Sequence, residues 1–122
     1  MTRFNFDYDS ENDDLFIYRF RKKSKYSIEF SRDIILDFDE NNKLVGIELL
    51  EATKTLAMLS GKDPEWISKL LKDLKTCQLS YKTGSGKFVF SITLLAKRKI
   101  EATTVNLAVP EPELSVAVSR HK

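Results

Sequence analysis

The chain has 122 residues, 42% hydrophobic and 31% charged, with a formal net charge of +2. At this length roughly two-thirds of the unfolded surface is buried on folding, enough for one hydrophobic core, and thirteen aromatic residues exclude the composition of a disordered segment. One cysteine cannot form an internal disulfide, no apolar run approaches the roughly 20 residues of a membrane-spanning helix, and no basic segment leads into an apolar one as in a secretory leader. A single folded domain in the cytoplasm, with no membrane partner, is expected.

Most of the chain alternates with a period of two, the signature of strands with one buried and one wet face. Phe4, Phe6 and Tyr8 alternate with Arg3, Asn5 and Asp7. After the polar stretch 9–14, Leu15 to Phe20 is apolar or aromatic on both faces and predicts a central strand. A short third strand follows at Tyr26 to Phe30, and Ile34, Leu36 and Phe38 share a face before the polar run Asp39 to Lys43. Val45, Ile47 and Leu49 then resume the alternation, so these two strands form a hairpin.

The period changes at Glu51. Ala52, Leu56 and Leu59 have helical spacing and Gly61 suits the position just past a helix end, predicting a helix near 52–60. Asp63 and Pro64 mark a second start, because a carboxylate accepts first-turn N–H groups and proline there loses no hydrogen bond. Ile67, Leu70, Leu71 and Leu74 give that helix an apolar stripe over 64–75. Period two returns at Cys77, Leu79 and Tyr81, and a turn through Thr83 to Gly86 leads into Phe88, Phe90, Ile92 and Leu94. Val105, Leu107 and Val109 supply a last strand, which Pro110 and Pro112 stop. The fold class expected is α+β: antiparallel hairpins of about eight short strands with two adjacent helices. One domain spans 1–109, and 110–122 is expected to be a mobile tail.

The near-neutral total hides an asymmetry. Residues 1–61 hold nine Lys/Arg against twelve Asp/Glu, whereas 62–122 hold eleven against six. Screening confines the reach of such a dipole to about 8 Å at physiological salt.

The stretch Tyr8 to Ala52 resembles the domain of unknown function 2283 family of small prokaryotic proteins. The resemblance is carried by Tyr8-Asp9, then Glu11, Asp13, Leu15 and Ile17, then Ser27-Ile28-Glu29. It is clearest in Ile35-Leu36-Asp37-Phe38-Asp39 followed by Lys43-Leu44-Val45-Gly46-Ile47-Glu48. The resemblance extends over residues about 4–55; 1–52 are read as the family-like β core and 53–109 as a helical and β extension that short family members lack. Where the family's turn usually has glycine this chain has Asn42, which tolerates positive φ. The resemblance implies a small antiparallel sheet with a helix and no established activity, and suggests an antitoxin-like role beside a toxin-like protein partner.

Several patterns invite chemistry. Asp37, Asp39, Asn41 and, at the twelfth position, Glu48 match the spacing of a calcium-binding loop, yet that loop needs helical flanks and a glycine where Asn42 stands. A strand hairpin is the simpler reading. The acidic run Asp7, Asp9, Glu11, Asp13 and Asp14 reads as solvated turn carboxylates. His121, the single histidine, is next to last in the chain and removes Ser/His and Cys/His catalysis; Cys77 reads as a small buried hydrophobe. Lys82-Thr83-Gly84-Ser85-Gly86-Lys87 lacks the first glycine of a phosphate-binding loop, where Tyr81 stands, and has Phe88 in place of its Ser/Thr. No catalytic residue and no cofactor is expected. The segment Tyr18 to Tyr26 interleaves Arg19, Arg21, Lys22, Lys23 and Lys25 with three aromatic rings, the make-up of a surface that tracks phosphates and stacks bases. Lys97, Arg98 and Lys99 offer a second basic loop. The leading expectation is a non-enzymatic, self-associating interaction domain, a homo-oligomer, because many short strands leave sheet edges to cover. The alternatives are nucleic-acid binding through 18–26 and calcium binding through 37–48.

Overall fold

The computed structural model describes residues 2–84, 87–97, 102–110 and 118–119, with side chains described over 4–82 and 89–97. In chain order the strands β1 (Thr2–Asp9), β2 (Asp14–Tyr18), β3 (Tyr26–Ser31), β4 (Ile34–Phe38) and β5 (Leu44–Leu49) come first. Two helices follow, α1 (Ala52–Ser60) and α2 (Pro64–Lys72), and then β6 (Leu74–Gly84), β7 (Lys87–Ala96), β8 (Ala102–Pro110) and the two-residue β9 (Val118–Ser119). All strand pairs are antiparallel, in the order β8-β7-β6-β1-β2-β5-β4-β3-β9. The α+β class with a mostly antiparallel sheet holds, as does the β4–β5 hairpin.

β1 divides its pairing. Thr2, Arg3 and Phe4 lie opposite Leu79, Gln78 and Cys77 of β6, whereas Asn5 to Asp9 pair with β2. One strand therefore joins the ladder of the family-like segment to the ladder of the extension. The buried side chains form a single cluster drawing on both, from Phe4, Leu15, Ile17, Leu36, Phe38 and Ile47 to Leu79, Phe90, Ile92 and Leu94. Leu56 of α1 and Ile67 and Leu70 of α2 enter the same cluster, each fully buried.

The second helix starts as expected and stops early. Asp63 Oδ1 accepts the Glu65 N–H at 2.8 Å, with Pro64 in the first turn. Its end falls at Lys72 rather than near 75, because the Asp73 N–H closes on the carbonyls of Lys69 and Leu70 while the Asp73 carbonyl accepts the Lys97 N–H at 2.8 Å. That bond begins the long β6–β7 ladder, so Leu74 is buried from a strand instead of from the helix. α1 matches its expected span, ending at Gly61, whose φ of 73° suits a residue without Cβ.

The start of α1 is held from a distance. Glu51, the residue before it, has φ 47° and no capping hydrogen bond from its own side chain. Asp13, in the β1–β2 turn, supplies the missing acceptors: its carbonyl takes the Ala52 N–H at 2.7 Å, and its carboxylate takes the Thr53 N–H at 3.0 Å and the Thr53 hydroxyl at 2.8 Å. The Tyr8 hydroxyl donates to the same carboxylate at 2.6 Å. Burial, and then that hydrogen bond, push the Tyr8 phenol above its usual range. Asp13 itself has φ 55°. Its neighbour Asp9 shapes the turn, accepting the Asn12 side-chain amide and the backbone N–H groups of Glu11 and Asn12; the Asn12 amide foremost holds the Asp9 carboxyl below the usual range.

The tail at 110–122 lies mostly outside the described residues, where His121 also falls. Val118 and Ser119 pair with Ser27 and Tyr26 of β3. In the β6–β7 hairpin Gly84 pairs with Lys87, while Ser85 and Gly86 are outside the description.

Replacing Asp13 by Ala leaves the Thr53 N–H and the hydroxyls of Thr53 and Tyr8 without their acceptor and puts a Cβ-bearing residue with no polar side chain at positive φ. The expected loss is about 2 kcal/mol. Asp13→Asn keeps an acceptor and tolerates the backbone, so urea unfolding should rank wild type above Asn and Asn above Ala; equal stability of Ala and wild type would refute the capping role.

Candidate functional site

The face of the sheet away from the core is organised by strand register. Tyr18 of β2, Gly46 of β5, Asp37 of β4 and Ser27 of β3 lie in one cross-strand row. The next row holds Phe16, Glu48, Ile35 and Glu29. Alternation dictates this: Leu15 and Ile17 turn into the core, so Phe16 and Tyr18 must turn out. Their rings stack at a centroid distance of 4.9 Å and 28°. The two-faced run expected at 15–20 is thus real over β2, but it ends at Tyr18, and Phe20 beyond it is 66% exposed.

This outer face is covered by chain where Asp37 sits. The carboxylate is 1% exposed and accepts a hydrogen bond from the Ser27 hydroxyl. The segment after β2 crosses the row, anchored where the Arg19 N–H bonds the Val45 carbonyl at 2.9 Å and the Lys25 N–H bonds the Phe38 carbonyl at 2.7 Å. Arg21 takes φ 66° within it, a conformation that costs a non-glycine residue roughly 1 kcal/mol or more. Between segment and sheet lies a cavity of about 350 Å³, lined by Phe16, Tyr18, Asp37, Val45 and Gly46 from the strands and by Arg19, Arg21, Lys22, Lys23 and Ser24 from above. Gly46 keeps it open: a Cβ there would sit 3.1 Å from Asp37 Oδ2 and 3.3 Å from both the Ile17 carbonyl oxygen and the Phe16 ring.

Four of the five cations expected at 18–26 therefore converge on one cleft. Lys25 is exposed and does not line it. The Arg21 guanidinium stands 5.3 Å from the Phe20 ring centroid, and Arg19 stands 5.9 Å from that of Phe4. Arg19 also lines a second cavity of about 270 Å³ with Phe4, Lys43, Leu44, Leu79, Ser80 and Tyr81. In the second basic loop Lys97 is exposed and its backbone N–H is spent on Asp73; Arg98 and Lys99 lie outside the described residues.

The calcium-loop spacing assembles differently. Asp37 and Glu48 stand on strands, not helices, Asp37 opposite Gly46 and Glu48 opposite Ile35. Asp39 uses its carboxylate on the N–H groups of Asn41 and Lys43, each at 2.9 Å, and Asn42, at φ 62°, accepts from the Tyr26 hydroxyl. Among the described residues no three His, Cys, Asp or Glu side chains group as metal ligands would. Cys77 is buried, and burial pushes its thiol up to about 12.

Residues 5–52 match the model of a protein family described as "Protein of unknown function (DUF2283)". The resemblance seen in the sequence is thereby confirmed over β1 to β5, and these strands build the whole floor of the cleft. An uncharacterized protein of Methanocaldococcus jannaschii is 52% identical over 48 residues, which are 39% of this chain and 40% of that one. A Methanosarcina mazei protein named "Putative hypoxanthine phosphoribosyltransferase" is 44% identical over 48 residues, 39% of this chain and 38% of that one. The chain thus spans about two-fifths of the length of these relatives, and most of the second lies outside the matched stretch. No solved structure matches the chain.

Gly46→Ala should narrow the cleft and strain its floor, since the three close neighbours include a backbone carbonyl that cannot rotate away. A loss of about 1–3 kcal/mol in thermal or urea unfolding is expected; a neutral substitution would show that the floor yields.

Proposed function

We propose that the chain is a non-catalytic protein that binds single-stranded nucleic acid through the 18–26 segment and the cleft beneath it. One observation carries the reading: Arg19, Arg21, Lys22 and Lys23 line one cleft beside the exposed ring of Phe20. Cations neutralise phosphates and release counterions, while stacking of a base on an aromatic ring contributes about 1–3 kcal/mol without demanding a sequence. Catalysis has less support, because the raised, buried Cys77 thiol is a poor nucleophile. A cytoplasmic setting suits a free thiol. Among the described residues no helix is long and apolar enough to cross a membrane.

Fluorescence anisotropy with a labelled pyrimidine strand tests this. Affinity should fall linearly on logarithmic axes between about 50 and 200 mM salt, and combined Arg21→Ala, Lys22→Ala and Lys23→Ala changes should flatten the slope by about 2. Binding that is absent, or indifferent to salt, would overturn the reading.

Self-association is favoured by a separate observation. β8 is a nine-residue edge strand which, among the described residues, pairs with β7 alone. A second copy, or the toxin-like partner implied by the resemblance, would add a strand there. Light scattering should return at least twice the 14.1 kDa of one chain; a monomer at high micromolar concentration would remove this reading.

A further inference from the structure

The ladders that meet at β1 part at one place. Phe4 pairs with Cys77 of β6, its neighbour Asn5 pairs with Tyr18 of β2, and the next residue, Arg19, gives its N–H to the Val45 carbonyl of β5. Among the described residues the β1–β6 ladder stops at Thr2–Leu79 and the β2–β5 ladder at Tyr18–Gly46. Ser80 and Tyr81 therefore run on past Thr2, as Lys43 and Leu44 run past the last β2 pair, and the sheet forks between them. The cavity of about 270 Å³ lies in that fork, lined by these four residues together with Phe4 and Arg19. It differs from the first cavity in charge. Asp37 lines the first, whereas among the described residues no carboxylate lines the second; Asp39, whose carboxylate accepts the Lys43 N–H, is not part of it. Two cations, Arg19 and Lys43, remain there beside the hydroxyl-bearing Ser80. Arg, Lys and Ser side chains are among those that hold phosphate oxygens in nucleic-acid complexes. The Arg19 guanidinium, 5.9 Å from the Phe4 ring centroid, is tied to the fork by that contact. The two cavities are neighbours: Arg19 lines both, and consecutive residues of one chain segment serve them, Lys43 and Leu44 in the second, Val45 and Gly46 in the first.

We propose that this fork is a second phosphate subsite, in which Arg19 and Lys43 hold the backbone of the strand that the 18–26 segment binds. The proposal rests on the nucleic-acid reading and deepens it. Residues of the family-like segment line the first cavity by themselves, whereas the second needs Ser80 and Tyr81 of β6. The extension thus lengthens the track along which a single strand is held. A volume of about 270 Å³ falls just below the roughly 300–1,000 Å³ of sites that enclose whole small molecules, which suits one phosphate with its sugar.

The test measures the salt dependence of binding to a labelled pyrimidine strand of about 12 nucleotides, long enough to follow such a track. Lys43 lies outside the 18–26 segment and is exposed, so its replacement leaves the first cavity intact. Lys43→Ala should flatten the logarithmic salt slope by about 0.7, the share of one phosphate contact on a single strand, and Lys43→Arg should keep it. Lys54→Ala, an exposed position on α1 that lines neither cavity, controls for net charge and should match wild type. Ser80→Asp, which puts a carboxylate in the fork from the side of the extension, should weaken the strand; if its melting transition shows that it does not fold, the Lys43 variants decide. Equal slopes for Lys43→Ala, Lys54→Ala and wild type, all still sensitive to salt, overturn the subsite and leave the nucleic-acid function standing. If no strand binds, that function falls, and titration with inorganic phosphate at constant ionic strength decides the subsite. Phosphate bound by wild type and weakened in Lys43→Ala supports it and assigns it to free phosphate groups, whereas phosphate that does not bind overturns it as well.

Discussion

The hydrogen bonds of Asp13 connect the first turn of the sheet to the first turn of the first helix, and the two-sided architecture depends on them. α1 begins with no cap of its own, and the acceptors it needs are supplied from forty residues upstream. An uncapped helix start leaves backbone N–H groups short of partners. By meeting that need from the β1–β2 turn, Asp13 fixes where α1 departs from the sheet and which face of the sheet Leu56 closes. Both helices are then placed on the face of Leu15, Ile17 and Ile47, leaving the face of Phe16, Tyr18 and Asp37 to the segment that follows β2.

That second face makes a different physical compromise. Taking a carboxylate out of water costs several kcal/mol unless it is hydrogen-bonded or opposed by charge. Here a hydroxyl on the neighbouring strand donates to it, four cations line the same cleft, and a glycine leaves room beside its Oδ2. The acidic balance of the first 61 residues is therefore locally inverted, since the loop that gathers four positive charges belongs to that acidic part. Net charge over a segment said nothing about this; the placement of charge on one face does.

Much of the fold was legible because it follows from short-range rules. Alternation located β1 to β5, Asp63-Pro64 located the start of α2, and Gly61 located the end of α1. The end of α2 was not legible, because Leu74 fits a helical stripe and a strand equally well and only the Asp73–Lys97 bond, between residues far apart in the chain, decides between them. The basic segment at 18–26 was visible as composition, whereas its convergence with Asp37, Gly46 and Ser27 depends on the register of four strands. One signal was available: a glycine inside an otherwise apolar strand marks close approach or open space, and Gly46 is such a residue. Asp13 looked like one more solvated carboxylate in an acidic run, since nothing in the spacing ties it to Thr53.

The divided pairing of β1 carries a consequence for how the chain comes to be folded. β1 leaves the ribosome before either of its partner strands, and its second half can join β2 as soon as the short turn between them forms. Its first three residues must wait for β6, more than seventy residues later. Closing so long a loop is slow relative to the local hairpins, so the family-like segment can be largely assembled while the edge at Thr2 to Phe4 is still open. The extension is then the piece that finishes the family-like half, and a chain truncated before β6 would expose Phe4 along an unpaired strand, a template for joining other chains instead of its own.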